Sequence, residues 1–177
     1  MVDINLKNDI VRISNARPEQ LDEVCLVLRA AFQQYENFIP SGVWQSYLED
    51  ILDVRSRLAE AELIVAVLNK QIVGTVTLYS NVSRILKAPW PKGWAGIRLL
   101  AVHPKYRREG IGRILMEECI RRCRDRGIAT IGLHTTEIMY VARRMYERMG
   151  FIPIPKFDFH PSPGVVIAAY HLDLKRP

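Results

Sequence analysis

The sequence predicts one mixed α/β domain, and three observations predict it. Short apolar runs rich in Val, Ile and Leu alternate with stretches whose apolar residues recur at helical spacing. Gly, Pro and Asn punctuate the boundaries between them. No internal repeat, low-complexity tract or linker divides residues 1–177, a length at which a chain buries about two-thirds of its unfolded surface around one core. In order the elements read β, α, α, β, β, β, α, β, α, β, β: seven strands with flanking helices.

Residues 9–14 (DIVRIS) form the first strand. Pro18, followed by Glu19, Asp22 and Glu23, places acids at the positive end of a helix that runs to Gln34. A second helix over 41–58 carries Val43, Trp44, Tyr47, Leu48 and Ile51 at helical spacing, which should turn one face to the core. LIVAVL (63–68) and IVGTVTLY (72–79), separated by Asn69, Lys70 and Gln71, read as a hairpin. Residues 81–93 hold two prolines and a glycine and read as a loop. AGIRLLAV (95–102) is an apolar strand halted by His103-Pro104.

Ile111, Leu115 and Cys119, with Ile114 and Ile120 beside them, make the stripe of a helix over 112–126 that Gly127 stops. ATIGLHT (129–135) is a strand. Thr136 can cap a further helix with Ile138, Val141, Ala142, Met145 and Met149 inward and Gly150 at its end. FIPI (151–154) and VVIAAYHLDL (165–174) are final strands around a loop holding Phe157, Asp158, Phe159 and His160.

The segment between the 95–102 strand and the next helix carries the chemistry. A helix start leaves its first amides unpaired and bears the positive end of the dipole, so it suits an anion. Gly110 and Gly112 keep side chains away from a ligand and accept the positive φ of an amide nest. Arg107, Arg108 and Arg113 add charge at the rim. The combination predicts a bound phosphate or pyrophosphate. It lacks the Lys-Ser/Thr ending of a Walker loop and the third glycine of a dinucleotide fingerprint, so neither ATP nor NAD is favoured.

Arg107-Arg108-Glu109-Gly110-Ile111-Gly112, introduced by LLAVHPKY, resembles the signature of the GNAT superfamily of acetyl-CoA-dependent N-acetyltransferases. Ala142, Tyr146, Gly150 and Phe151 resemble a second pattern of that family at the family's separation, and the element order agrees from about 9 to 174. The resemblance implies a mostly antiparallel central sheet in which two parallel strands splay to admit CoA. It places the pyrophosphate on the amides of Arg108, Glu109, Gly110, Ile111, Gly112 and Arg113. Pantetheine would run along Leu100, Ala101 and Val102 as a substitute strand. By the same carry-over the Leu100 amide faces the thioester carbonyl and stabilises its oxyanion, and Met139, Ala142 and Tyr146 line the cofactor.

Tyr146 matches the family tyrosine that protonates the departing thiolate, a role a phenol of pKa about 10 can fill at neutral pH. The amine is harder to supply: a lysine-like ammonium costs about 4.6 kcal/mol to deprotonate at pH 7 and an α-amino group only about 1. Many relatives place a glutamate before the pyrophosphate turn. Here the matching place is Gly96, followed by Ile97 and Arg98, and no base is assignable. Met139 stands where many relatives carry an asparagine that contacts the cofactor. His103 and His134 read as turn or edge histidines. Family geometry points to the first two helices, the 81–93 loop and the 155–164 loop as the acceptor pocket. Phe32, Tyr35, Phe38, Trp44 and Tyr47 recur at helix spacing there and are mostly core, while Glu36 and Asp158 are weak candidates to anchor an ammonium.

Composition sets bounds. The chain is 49% hydrophobic and 25% charged, with net charge +6, which suits a soluble protein with an anionic partner. No apolar run spans a bilayer and the start lacks signal-peptide character, so the expected location is the cytoplasm, with no membrane partner. Cys25, Cys119 and Cys123 form neither a disulfide framework nor a zinc pattern; core thiols and no metal are expected. The preferred function is acetyl transfer from acetyl-CoA to a primary amine of a small molecule or peptide; a non-catalytic acyl-CoA-binding regulatory module is the alternative. The basic helix of residues 105–126 raises nucleic acid as a third reading, disfavoured because Tyr106 alone supplies an aromatic for base stacking. A homodimer is allowed for.

Overall fold

The computed structural model describes residues 2–6, 9–82, 90–162 and 165–175. Its contacts group into two compact units, Met1–Thr77 with Leu99–Glu118, and Leu78–Arg98 with Cys119–Pro177. Among the described residues nine strands form where seven are read from the sequence, and the architecture is mixed α/β with mostly antiparallel pairing.

In the first unit, β1 (Val2–Leu6) pairs antiparallel with β2 (Asp9–Asn15), and β2 with β3 (Glu62–Leu68). β4 (Gln71–Tyr79) follows β3 through Asn69 and Lys70. Both have positive φ, 48° and 66°, the left-handed pair that matches a two-residue hairpin to the twist of its strands. α1 (Leu21–Phe32) buries Leu21, Val24, Val27, Leu28, Ala31 and Phe32, and a 3-10 turn, Gln33–Phe38, prolongs it.

The helix expected over 41–58 is two helices, α2 (Ser41–Leu52) and α3 (Val54–Arg57). The break falls at Asp53, whose ψ of 61° leaves the helical region and whose carboxylate accepts from the Ser56 amide. Arg57, only 9% exposed, closes the end of α2 by donating to the carbonyls of Ile51 (3.2 Å), Asp53 (2.9 Å) and Asp50. Val43 does not join the inner face: it is 58% exposed, because it lies one residue, about 100°, from the Trp44 end of the buried stripe.

In the second unit, the first half of β5 (Ala95–Val102) pairs parallel with β6 (Thr130–Thr135), Gly96 opposite Gly132. β6 pairs antiparallel with β9 (Val165–Asp173), which also carries β7 (Ile152–Pro153) and β8 (Phe159–Ser162). α4 (Ile111–Asp125) begins in the first unit and ends in the second, where Cys119 and Cys123 are buried and outside any disulfide and Gly127 (φ 68°) turns the chain. α5 (Tyr140–Arg148) is preceded by a 3-10 turn, Glu137–Met139. Thr136 does not cap with its side chain as expected: its hydroxyl is buried without a partner while its carbonyl accepts from the Met139 amide (3.0 Å). Val141 is 65% exposed, on the flank of the stripe formed by Ala142, Met145, Tyr146 and Met149. No helix among the described residues is long and apolar enough to cross a membrane.

Candidate active site

The first unit holds the turn singled out in the sequence. β5 bends at Leu99, a non-glycine residue with φ 54°. The residues beyond it, Leu100 and Val102, are half-buried around a buried Ala101. The strand ends as the His103 amide donates to Val73 O (2.9 Å). The His103 ring accepts from the Lys105 amide (3.3 Å) and so caps the Pro104–Tyr106 turn, the turn role expected of it. Tyr106 donates its hydroxyl to Gln71 Oε1 (3.2 Å).

From there the backbone winds through Arg108 (φ 67°) and Gly110 (φ 82°), two left-handed residues with Glu109 between them, directly before α4. The amide of Ile114, donating to Gly110 O at 3.0 Å, makes the first α-helical bond, so those before it lack intrahelical acceptors. Of the two glycines expected to take a positive φ, Gly110 does and Gly112 does not; Arg108 takes the second left-handed position instead. Arg108, Gly110 and Arg113 are exposed, Glu109 and Gly112 half-buried, and Ile111 buried. Arg113 pairs with Glu117 at 2.8 Å on the helix surface.

Arg107 is placed differently from Arg108. It is half-buried, and its guanidinium donates through Nη2 to Ala31 O (3.0 Å) and through Nη1 to Gln34 Oε1 (3.1 Å). Sequence reasoning also missed Gly74 of β4. A Cβ there would stand 2.9 Å from Ile111 Cγ2 and 3.1 Å from both Ala101 O and Leu115 Cδ1. A glycine inside a strand marks such a close approach, and this one lets the first turn of α4 settle on the sheet.

The second unit holds the remaining candidates. The parallel register of β5 with β6 covers Ala95–Ile97 and stops at Leu133, while β6 continues to Thr135 against β9. Met139 and Ala142 are half-buried at the start of α5. Tyr146 is buried, its ring centroid 5.8 Å from that of Phe151. Gly150 (φ 89°) returns the chain so that the Phe151 amide donates to Tyr146 O (3.0 Å), which explains why the Tyr, Gly and Phe spacing holds together.

Against Gly132 packs an aromatic cluster. The Trp90 ring lies 4.6 Å from His134, 5.4 Å from Phe157 and 5.8 Å from Trp94. His134 Nε2 meets Phe157 O at 3.0 Å, and burial pushes its pKa below the usual imidazole range. Asp158 accepts from the Ala169 amide (2.7 Å), which gives this weak anchor candidate a structural partner. In the first unit Phe32 and Trp44 are buried and Tyr35 and Tyr47 half-buried, whereas Phe38 is 68% exposed. Glu36 is exposed and accepts from the Gln33 side chain. Of the expected acceptor loops, residues 83–89 and 163–164 lie outside the described residues. No group of three His, Cys, Asp or Glu residues suited to a metal occurs among the described residues.

The sequence profile of the Acetyltransferase (GNAT) family matches residues 27–151. The chain belongs to that family. A curated relative, the [ribosomal protein bS18]-alanine N-acetyltransferase of Escherichia coli K12, is 40% identical over 52 residues, 29% of this chain and 35% of the relative. The match thus spans about a third of that relative's length. Among solved structures, a GNAT-family acetyltransferase of Staphylococcus aureus Mu50 superposes with TM-score 0.72 at 21% identity, over 93% of this chain and 99% of the other. The PaiA N-acetyltransferase of Thermoplasma acidophilum, solved with coenzyme A, gives 0.69 at 17% identity over 90% and 97%. A GNAT acetyltransferase of Brucella melitensis, solved with acetyl-CoA, gives 0.64 at 23% identity over 92% and 87%. These likenesses show the GNAT fold.

Proposed function

We propose that this GNAT chain is an N-acetyltransferase that moves an acetyl group from acetyl-CoA directly to a primary amine of a small molecule or peptide. The observation that carries the reading is the paired left-handed backbone at Arg108 and Gly110 leading into the unpaired first amides of α4. That arrangement fits a diphosphate, and CoA supplies one together with the thioester. The residues that hold it in this reading are Arg108 to Arg113, with Arg108 and Arg113 exposed and charged at the rim. Leu100, Ala101 and Val102 offer backbone groups to pantetheine.

In the reaction, the amine nitrogen bonds to the thioester carbon, the carbon–sulfur bond breaks, the sulfur takes a proton, and the amine loses one to solvent. Tyr146 is the assigned donor to sulfur, and the Leu100 amide the assigned partner of the carbonyl oxygen. Gly96, paired with Gly132, brings no carboxylate to the place where many relatives hold a glutamate. An amine of low pKa needs the least help, so an α-amino group costing about 1 kcal/mol to deprotonate at pH 7 is the favoured acceptor class. The partial likeness to an alanine N-acetyltransferase supports the same choice.

Release of free thiol from acetyl-CoA, followed with an alanine-initiated peptide, a lysine-containing peptide with a blocked N-terminus, and a small polyamine, tests the reading. Turnover with the first is expected to exceed the others. CoA binding with no acetylation of any amine would select the regulatory module, which Gly96 and Met139 favour. No heat with CoA or acetyl-CoA would remove both.

A further inference from the structure

The arginine that opens the GNAT signature does not face outward with its neighbour. Arg108 is exposed, whereas the Arg107 fork is turned onto the end of α1 and the Gln33–Phe38 turn. Three groups close a ring there: Arg107 donates to Gln34 Oε1 and to Ala31 O, and Gln34 Nε2 donates to the same Ala31 O at 2.8 Å. Two parallel donors in a planar guanidinium fix direction as well as distance, which a lysine ammonium cannot do. The ring sits at both ends of a short path. On one side Arg107 is bonded to Arg108, the first left-handed residue of the anion nest. On the other, Ala31 adjoins Phe32, whose buried ring meets Tyr35 at 6.0 Å and Tyr47 at 6.1 Å, with Trp44 6.3 Å beyond Tyr47. That aromatic face lies on the elements to which family geometry assigns the acceptor.

We propose that Arg107 is a positioning residue whose guanidinium ties the anion-holding turn to the Gln33–Phe38 turn, so that CoA on one side orders the acceptor-facing elements on the other. The proposal rests on the reading of residues 108–113 as the CoA diphosphate site. Filling the nest fixes the φ and ψ of Arg108, and with them the origin of the Arg107 side chain. The fork transmits that restraint to the Ala31 carbonyl and the Gln34 amide. By linkage the effect is reciprocal: an acceptor that orders residues 33–38 tightens CoA by the same factor.

Hydrogen–deuterium exchange on the full chain, with and without CoA, reads both ends at once. In the wild-type protein, CoA is expected to slow exchange at residues 108–113 and, at least fivefold, at 33–38. Gln34→Leu removes the acceptor of Nη1 on an exposed side chain, so the fold is retained. It should leave the calorimetric CoA affinity within about twofold and the slowing at 108–113 intact, and abolish the slowing at 33–38. Gln34→Glu, which still accepts from the fork, should restore it, and Arg107→Lys should not transmit it. Equal slowing at 33–38 in wild type and Gln34→Leu overturns the proposal, as does slowing confined to 108–113 in the wild type. Absence of any heat or protection with CoA is a different failure: it removes the co-substrate reading, and this proposal with it.

Discussion

The six-membered ring of Trp90 lies against Gly132 so closely that a Cβ on that glycine would stand 2.9 Å from Cζ3 and 3.0 Å from Cη2. The indole has no room to yield, because Trp94, His134 and Phe157 pack on it. We expect Gly132→Ala to cost about 1–3 kcal/mol through overpacking. A lowered denaturant midpoint with an unchanged slope, accompanied by a shift in tryptophan emission, is the measurement; an unchanged midpoint refutes this packing.

Gly110 has φ 82°, where an L side chain is strained. Gly110→Ala is expected to lose about 1 kcal/mol of stability. It should also weaken CoA about tenfold, because the nest amides turn away from their common side. Calorimetry alongside thermal unfolding separates the two effects: affinity must fall by more than stability explains.

Arg57 satisfies carbonyls at the end of α2 from a nearly buried position beside Asp50. Removing it strands those oxygens and leaves Asp50 without this partner. Charged hydrogen bonds contribute about 1.5–3 kcal/mol each, but relaxation and water entry recover part, so Arg57→Ala is expected to cost about 3 kcal/mol in urea unfolding. Loss of less than about 1 kcal/mol would show that water replaces the guanidinium.

His134 holds its pKa below the ordinary imidazole value, chiefly because burial disfavours the charged ring. Between the folded and unfolded pKa values the unfolded chain binds more protons, so stability rises with pH there. The contribution is complete above the unfolded value near 6.5 and is lost as pH falls through the folded value. Midpoints measured from pH 7.5 down to 5 should therefore decline below about 6.5, and the slope should shrink in His134→Gln. Equal slopes in the two proteins would remove His134 as its source.

Tyr146→Phe keeps the buried ring beside Phe151 and deletes only the hydroxyl. A thiol of pKa near 8.5 leaves tolerably without an acid, so the proposed role predicts a 10- to 100-fold fall in kcat, at the low end for general acids, with KM for acetyl-CoA nearly unchanged. A fall confined to KM would assign the hydroxyl to binding.

Elements with a strong period were legible in the sequence: β5 and the stripe of α4 stand where the pattern put them. Val43 and Val141 were not, since apolarity alone does not separate the middle of a helical stripe from its flank. β1 escaped although Val2, Ile4 and Leu6 alternate with polar residues, because five residues gain strand character only from a partner such as β2. The left-handed turn at Gly110 before α4 could be read because helix-start physics is local. The partners of Arg107, 73 and 76 residues away, could not, and neither could the glycine that admits Ile111. A lone glycine within IVGTVTLY was the available signal.

At Leu99 the backbone turns left-handed in the middle of β5, outside the extended conformation on which the strict alternation of side chains between two faces rests. Strict alternation can therefore be counted along Ala95–Arg98 alone, up to the left-handed residue. Grafting a loop or carboxylate from a relative onto the Gly96 side requires alignment anchored before the kink.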